Sequence, residues 1–179
     1  MRAIVPLTFL CLILAGCGTG GSSGQPPISD AEIDSIVRAW LLCEECYDDE
    51  LREVVGLGEQ AIPRLAEALE GPRPDREANV RLQLQESYDQ LEKYVARRVD
   101  TPSGQPIDTL TLNRDEYTKH FVDNYVAVYQ SRAAIALGEI DSPNALGELL
   151  IARALAPERS YRPDVVSSID AAIAAHSSP

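Results

Sequence analysis

The repeat formed by residues 52–69 (REVVGLGEQAIPRLAEAL) and residues 132–149 (RAAIALGEIDSPNALGEL) decides the fold that we predict for this chain. Six residues coincide at a single offset of 80 positions, with no gap: Arg52 and Arg132, Leu57 and Leu137, Gly58 and Gly138, Glu59 and Glu139, Pro63 and Pro143, Leu69 and Leu149. Eighty is twice 40, and repeats built from two antiparallel helices have periods of about 40 to 47 residues.

Each copy predicts a helix, a turn and a second helix. Glycine adopts positive φ freely and often follows the last residue of a helix, whereas proline is tolerated in the first turn because its missing N–H would have no partner there. The first helix is therefore predicted from Asp48 or Asp49 to Gly58, and the second from Pro63 to Gly71. We predict that Gly58 and Gly138 occupy equivalent helix-ending turns with positive φ.

At these residues the chain resembles the HEAT-repeat family, and especially the short HEAT-like repeats first described in phycobilin lyases. The resemblance is clear over residues 49–70 and 131–154. It implies an all-α fold for residues 29–179: a short α-solenoid of about three to four helical hairpins, with a divergent middle unit and a long loop at 99–113. An antiparallel bundle of the same helices is the alternative.

Apolar spacing and caps predict the remaining helices. Ser29 and Glu32 have the spacing of a capping box, as do Asn113 and Glu116, and Pro163 opens a last helix. The expected apolar face of the first helix is Ile33, Ile36, Val37, Trp40 and Leu41. A helix that follows Asp75 is expected to run through Val80, Leu82, Leu84, Tyr88, Leu91, Tyr94 and Val95.

The amino terminus predicts export and lipid anchoring. Arg2 and a continuous apolar stretch at 3–15 are typical of a secretory signal, and this stretch is too short to span a bilayer. Residues 14–17, Leu-Ala-Gly-Cys, resemble the lipobox of bacterial lipoproteins, which implies cleavage after residue 16 and acyl chains on Cys17. Residues 17–28 would then be a lipidated flexible tether at the bacterial cell envelope. The alternative is an ordinary secretory signal with a chance cysteine.

Once Cys11 leaves with the signal and Cys17 carries lipid, Cys43 and Cys46 remain. Three interpretations are open for this Cys-x2-Cys pair in an oxidising compartment. A structural disulfide needs nothing more. A zinc site needs about four ligands, and a redox site needs a depressed thiol pKa that the intervening Glu44 and Glu45 disfavour.

Tyr117, Phe121, Tyr125 and Tyr129 recur every four residues along one predicted helix. This stripe is either a packing ridge or an interaction surface. The formal charge of −12 makes nucleic-acid binding and adhesion through a basic patch unfavourable. The chain has no phosphate-binding glycine loop with Lys and no His-Glu-x-x-His motif.

These observations predict no catalytic residue, metal or cofactor. The expected function is that of a non-catalytic interaction or scaffold module that binds an envelope protein. The alternative is a thiol-redox or other enzyme-associated function that uses Cys43 and Cys46. Phycobilin lyases act on cytoplasmic or plastid pigment proteins, so the export signal argues against that activity here.

Overall fold

The computed structural model describes residues 28–43, 48–98 and 111–177. This part of the chain is all-helical, as predicted, and contains no strand. The α-helices are α1 (Asp30–Leu42), α2 (Asp48–Gly56), α3 (Ile62–Leu69), α4 (Pro74–Arg98), α5 (Arg114–Glu139), α6 (Pro143–Ala154) and α7 (Pro163–His176), and a short 3-10 helix (Gly58–Gln60) joins α2 to α3. None of these helices combines the length and the apolar content that a membrane crossing requires.

The predicted caps begin their helices. The Ser29 hydroxyl accepts a hydrogen bond from the backbone N–H of Glu32 at the start of α1. At the start of α5, Asn113 and Glu116 form the complete reciprocal capping box. Pro143 and Pro163 stand at or next to the first position of α6 and α7. These starts depend only on neighbouring residues, which is why the sequence predicts them.

Helix α5 lies at the centre and contacts all six other helices. Its carboxyl-terminal half is buried on several sides because it is built from small residues, with Ala133, Ala134, Ala136 and Leu137 fully buried. Small side chains let neighbouring helix axes approach closely. The largest fully buried apolar side chains around this half are Val54, Leu65, Leu69, Leu149, Val165 and Ile169.

Helices α5 and α7 pack very closely where they cross at Gly138. Among the described glycines, Gly138 leaves the least room for a β-carbon. A β-carbon at position 138 would lie 2.8 Å from the Cβ atom of Ala172 and 2.9 Å from its Cα atom. No side chain larger than hydrogen therefore fits at Gly138 without a shift of one helix. The prediction of positive φ at Gly138 is wrong, because this residue lies inside α5.

Gly58 behaves as predicted. Its φ is +56°, and it follows the end of α2 at the start of the 3-10 helix. No atom lies within 4 Å of the position that a β-carbon would take there, so backbone conformation alone favours glycine at this residue. The structure therefore requires glycine at the two aligned positions for different reasons: close helix packing at Gly138 and positive φ at Gly58.

The two copies of the repeat contact each other directly. The Glu59 carboxylate accepts hydrogen bonds from the Ser142 hydroxyl, at 2.7 Å, and from the Asn144 amide, at 3.0 and 3.1 Å. Ser142 is also the N-cap of α6, so the first copy braces the start of the second copy's second helix. The divergent unit that lies between the copies in sequence does not separate these contacts in space.

Helix α4 instead pairs with the amino-terminal half of α5. The Asp89 carboxylate accepts from the Arg114 guanidinium at 2.9 Å, and the Tyr88 hydroxyl donates to the carbonyl of Leu112. The apolar residues of α4 are only partly covered: Leu82 is 58% exposed and Tyr94 is 54% exposed, whereas Tyr88 is buried. Residues 99–110 of the predicted loop lie outside the described residues.

Candidate functional site

A groove of about 340 Å³ lies where α1, α3, the start of α4 and the middle of α5 meet. Its apolar wall contains Val37, Leu41 and Ala68, and its aromatic wall is Tyr129. Its charged lining residues are Asp34, Arg38, Arg64, Glu67, Arg73, Asp75 and Arg76. A concave site with an apolar part and a few polar groups is typical of ligand binding, and its volume lies at the lower end of the usual range.

Tyr129 is the half-buried aromatic residue of this groove, and α5 positions it. Burial raises the pKa of its hydroxyl, because the phenolate would lose hydration. The neighbouring Tyr125 and the Glu67 carboxylate raise this pKa further, whereas Arg76 and Arg38 lower it. The Tyr129 hydroxyl therefore lies within electrostatic reach of charges contributed by three other helices.

The four arginines of the groove differ in their partners. Arg64 donates to Asp30 at 2.8 Å and to Asp34 at 2.9 Å, and these hydrogen bonds raise the pKa of its guanidinium. Arg73 lies 3.4 Å from the Asp75 carboxylate. Arg38 and Arg76 form no ion pair with any residue that the structure describes. Each guanidinium has five N–H donors, so Arg64 and Arg73 also keep some, but Arg38 and Arg76 are the two whose charge no described carboxylate pairs.

The structure splits the predicted aromatic stripe into two pairs. Tyr117 and Phe121 lie with ring centroids 4.5 Å apart, near the far end of the α4–α5 pair, where Tyr88 contacts Tyr117 at 5.3 Å. Tyr125 and Tyr129 lie 6.3 Å apart, nearer the groove. Phe121 is 40% exposed, whereas the Tyr125 hydroxyl is buried and has no hydrogen-bond partner in the described part of the chain. Only Tyr129 lines the groove.

The predicted cysteine sites fall largely outside the described residues. Cys17 and Cys46 both lie outside them, so neither lipidation nor the Cys43–Cys46 bond is described. Cys43 directly follows α1, and its Sγ atom lies 3.0 Å from the carbonyl oxygen of Trp40. Across residues 28–43, 48–98 and 111–177, no three His, Cys, Asp or Glu side chains group as metal ligands.

Sequence reasoning missed the charged groups of the groove. Arg38, Glu67 and Arg76 belong to the polar faces of three different helices, where charged residues are expected to be solvated. One local signal was present: Asp34 and Arg38 are four residues apart on the polar face of α1. No pattern within one helix predicts that these side chains meet beside Tyr129. No family model, curated protein or solved structure matches this chain.

Proposed function

We propose that this chain is a non-catalytic protein-interaction module of the bacterial cell envelope, anchored in a membrane by acyl chains on Cys17. In this proposal the signal is residues 1–16, the tether is 17–28 and the folded module is 29–179. The partner is a protein that docks in the groove beside Tyr129. No nucleic acid, metal or cofactor takes part.

The anchor is supported by the lipobox-like residues that end at Cys17. Two or more acyl chains on one cysteine provide stable membrane attachment without a spanning helix. The twelve tether residues reach at most about 40 Å when fully extended. The groove would then work within that distance of the bilayer surface.

The module itself is proposed to be a short solenoid of HEAT-like hairpins. The support is the order of elements in each copy of the repeat, a first helix, a turn and a second helix with proline in its first turn. Glu59 contacts Ser142 and Asn144 directly, so in this proposal the two copies stack as neighbouring units and the divergent unit lies outside the stack. Repeats stacked in this way present extended surfaces to partners.

The observation that carries the interaction role is the groove. It joins an exposed part of Tyr129 to two arginines without an ion-pair partner in the described residues, and tyrosine and arginine are enriched in the residues that dominate binding energy at protein interfaces. A groove formed by four helices that already pack on one core is also preorganised, so little ordering entropy opposes binding.

The Cys43–Cys46 bond is proposed as a structural disulfide. Cys43 follows the last residue of α1 and Cys46 comes shortly before the first residue of α2, so the bond would tie these two contacting helices at their junction. Such a short loop gives only about 1 to 3 kcal/mol in the chain-entropy description. A redox role would instead require a thiol that exchanges rapidly.

Two measurements in cells test the proposal. Cys17→Ala should abolish labelling by an alkynyl fatty acid and release the protein from the membrane fraction. A photo-crosslinking residue in place of Glu67, at the rim of the groove, should give a discrete protein adduct, whereas the same residue at the exposed position of Glu53 on α2 should not. Wild-type protein that carries no acyl mass on Cys17 would refute the anchor. A full set of crosslinkers on exposed helix positions that captures no protein would refute the interaction role.

A further inference from the structure

The groove gathers four arginines on an acidic chain. Its lining also contains three carboxylates, and Asp30 pairs with Arg64 from just outside the lining, whereas the whole chain has a formal net charge of −12. The formal charges of the groove as a whole therefore nearly cancel, and the cationic charge that no described carboxylate pairs is that of Arg38 and Arg76. These two charges attract an anionic group.

The donors that remain available define where that anionic group would bind. Arg64 and Arg73 are engaged with Asp30, Asp34 and Asp75. Arg38 on α1 and Arg76 on α4 both line the groove together with Tyr129. Two planar guanidinium groups suit a carboxylate, because each can donate two parallel N–H bonds to it.

We propose that the groove binds an acidic peptide segment of a partner protein, with one carboxylate held between Arg38 and Arg76 and an adjacent apolar side chain on Tyr129. This inference rests on the proposed interaction function and names the chemistry of its partner. Val37, Leu41 and Ala68 form the apolar wall of the groove but are only 2–4% exposed, so the half-buried ring of Tyr129 offers most of the apolar surface. The Asp34 and Glu67 carboxylates at the groove can accept the N–H groups of the peptide backbone.

Asp34 and Glu67 also line the groove, so a ligand is expected to place its anionic group beside Arg38 and Arg76 and away from these carboxylates. A segment that carries an apolar side chain next to its carboxylate can also contact the Tyr129 ring, which inorganic phosphate cannot. The volume of about 340 Å³ also fits a short segment with a few side chains.

A displayed library of random seven-residue peptides, selected on the full chain purified from cells, tests the inference without a known partner. Selected peptides should share an Asp or Glu next to an apolar residue. Arg38→Gln and Arg76→Gln should each weaken binding of a selected peptide by about tenfold, because each removes charge-assisted hydrogen bonds. The matched control is Arg52→Gln on α2, whose guanidinium is 74% exposed and pairs with Asp49 outside the groove. Thermal melting would verify that all three variants fold.

Three outcomes would overturn the inference. One is a selected set without acidic residues. Another is peptide binding that Arg38→Gln and Arg76→Gln leave unchanged. In that case the chain would still be an interaction module, but its binding site would not be this groove. The third is Arg38-dependent binding that free glutamate, inorganic phosphate or phosphatidylglycerol vesicles reproduce at the peptide's own concentration. If crosslinkers at exposed positions on every helix capture no protein in cells, the proposed interaction function itself is refuted.

Discussion

Gly138→Ala tests the close crossing of α5 and α7. Carbon atoms come into ordinary contact at 3.4–4 Å, and the new Cβ atom would lie 2.8 Å from the Ala172 side chain and 2.9 Å from its backbone Cα atom. The overlap is thus at least about 0.5 Å with each atom, and the Cα atom cannot rotate away. Overpacking of this kind costs about 1 to 3 kcal/mol, against a gain of at most about 1 kcal/mol from the better helix propensity of alanine.

Gly147→Ala is the matched control. Gly147 lies inside α6, and no atom lies within 4 Å of the position of its missing β-carbon, so this change should stabilise by up to about 1 kcal/mol. Since the propensity gain is common to both variants, their free energies of unfolding should differ by about 1 to 3 kcal/mol. For a domain of this size, each kcal/mol of this difference corresponds to a change of roughly 2 to 4 °C in Tm.

Thermal and urea unfolding, followed by the fluorescence of the single Trp40 and by circular dichroism, would measure the difference. Ala172→Gly in the Gly138→Ala background should recover part of the loss, because it removes the 2.8 Å contact but keeps the 2.9 Å one. If Gly138→Ala melts as high as Gly147→Ala, the two helices do not cross at this separation and the reasoning is wrong.

Three further changes test other contacts. Glu59→Gln should lower the unfolding free energy by about 0.5 to 1 kcal/mol, because it weakens charge-assisted hydrogen bonds at the start of α6. Glu53→Gln on the exposed face of α2 is the control and should leave the unfolding free energy unchanged. Equal effects of the two changes in urea unfolding would contradict the stabilising role of Glu59. Tyr129→Phe should flatten the alkaline loss of stability: because the folded pKa is raised above the ordinary 10.0, the contribution of this hydroxyl is complete below about pH 10 and is lost as the pH rises through the folded pKa. A melting profile that falls equally steeply with Phe would show that Tyr129 titrates normally. Cys43→Ser with Cys46→Ser should lower the Tm by several degrees and leave partner binding intact; an unchanged Tm with loss of binding would favour the redox or metal alternative.

Local patterns predicted much of the helical architecture. The cap at Ser29, the capping box at Asn113 and the proline starts of α6 and α7 were all readable, because each depends on residues within one helical turn. The apolar face of α1 was readable for the same reason, with Ile33, Trp40 and Leu41 buried as expected. The outer face of α4 was not, since Leu82 is exposed only because few helices besides α5 cover α4.

Of the four stripe residues that the sequence singled out, one, Tyr129, lines the groove in the structure. It did not indicate Arg38 or Arg76, because charged residues on the polar face of a helix are ordinarily solvated and their pattern within one helix has no signature of a groove. The groove exists because α1 and the start of α4 are both held against α5.

By itself, then, the sequence determined that the chain is helical and where most helices begin, since hydrogen bonds at a helix start are made by near neighbours. The tertiary structure decided what the repeated Leu-Gly-Glu segment does in each copy. Gly58 takes a positive φ because its helix has ended, whereas Gly138 stays in a helix and is small because Ala172 of α7 lies against it. Such a contact depends on a helix that is distant in the chain, and no local pattern encodes how closely it approaches.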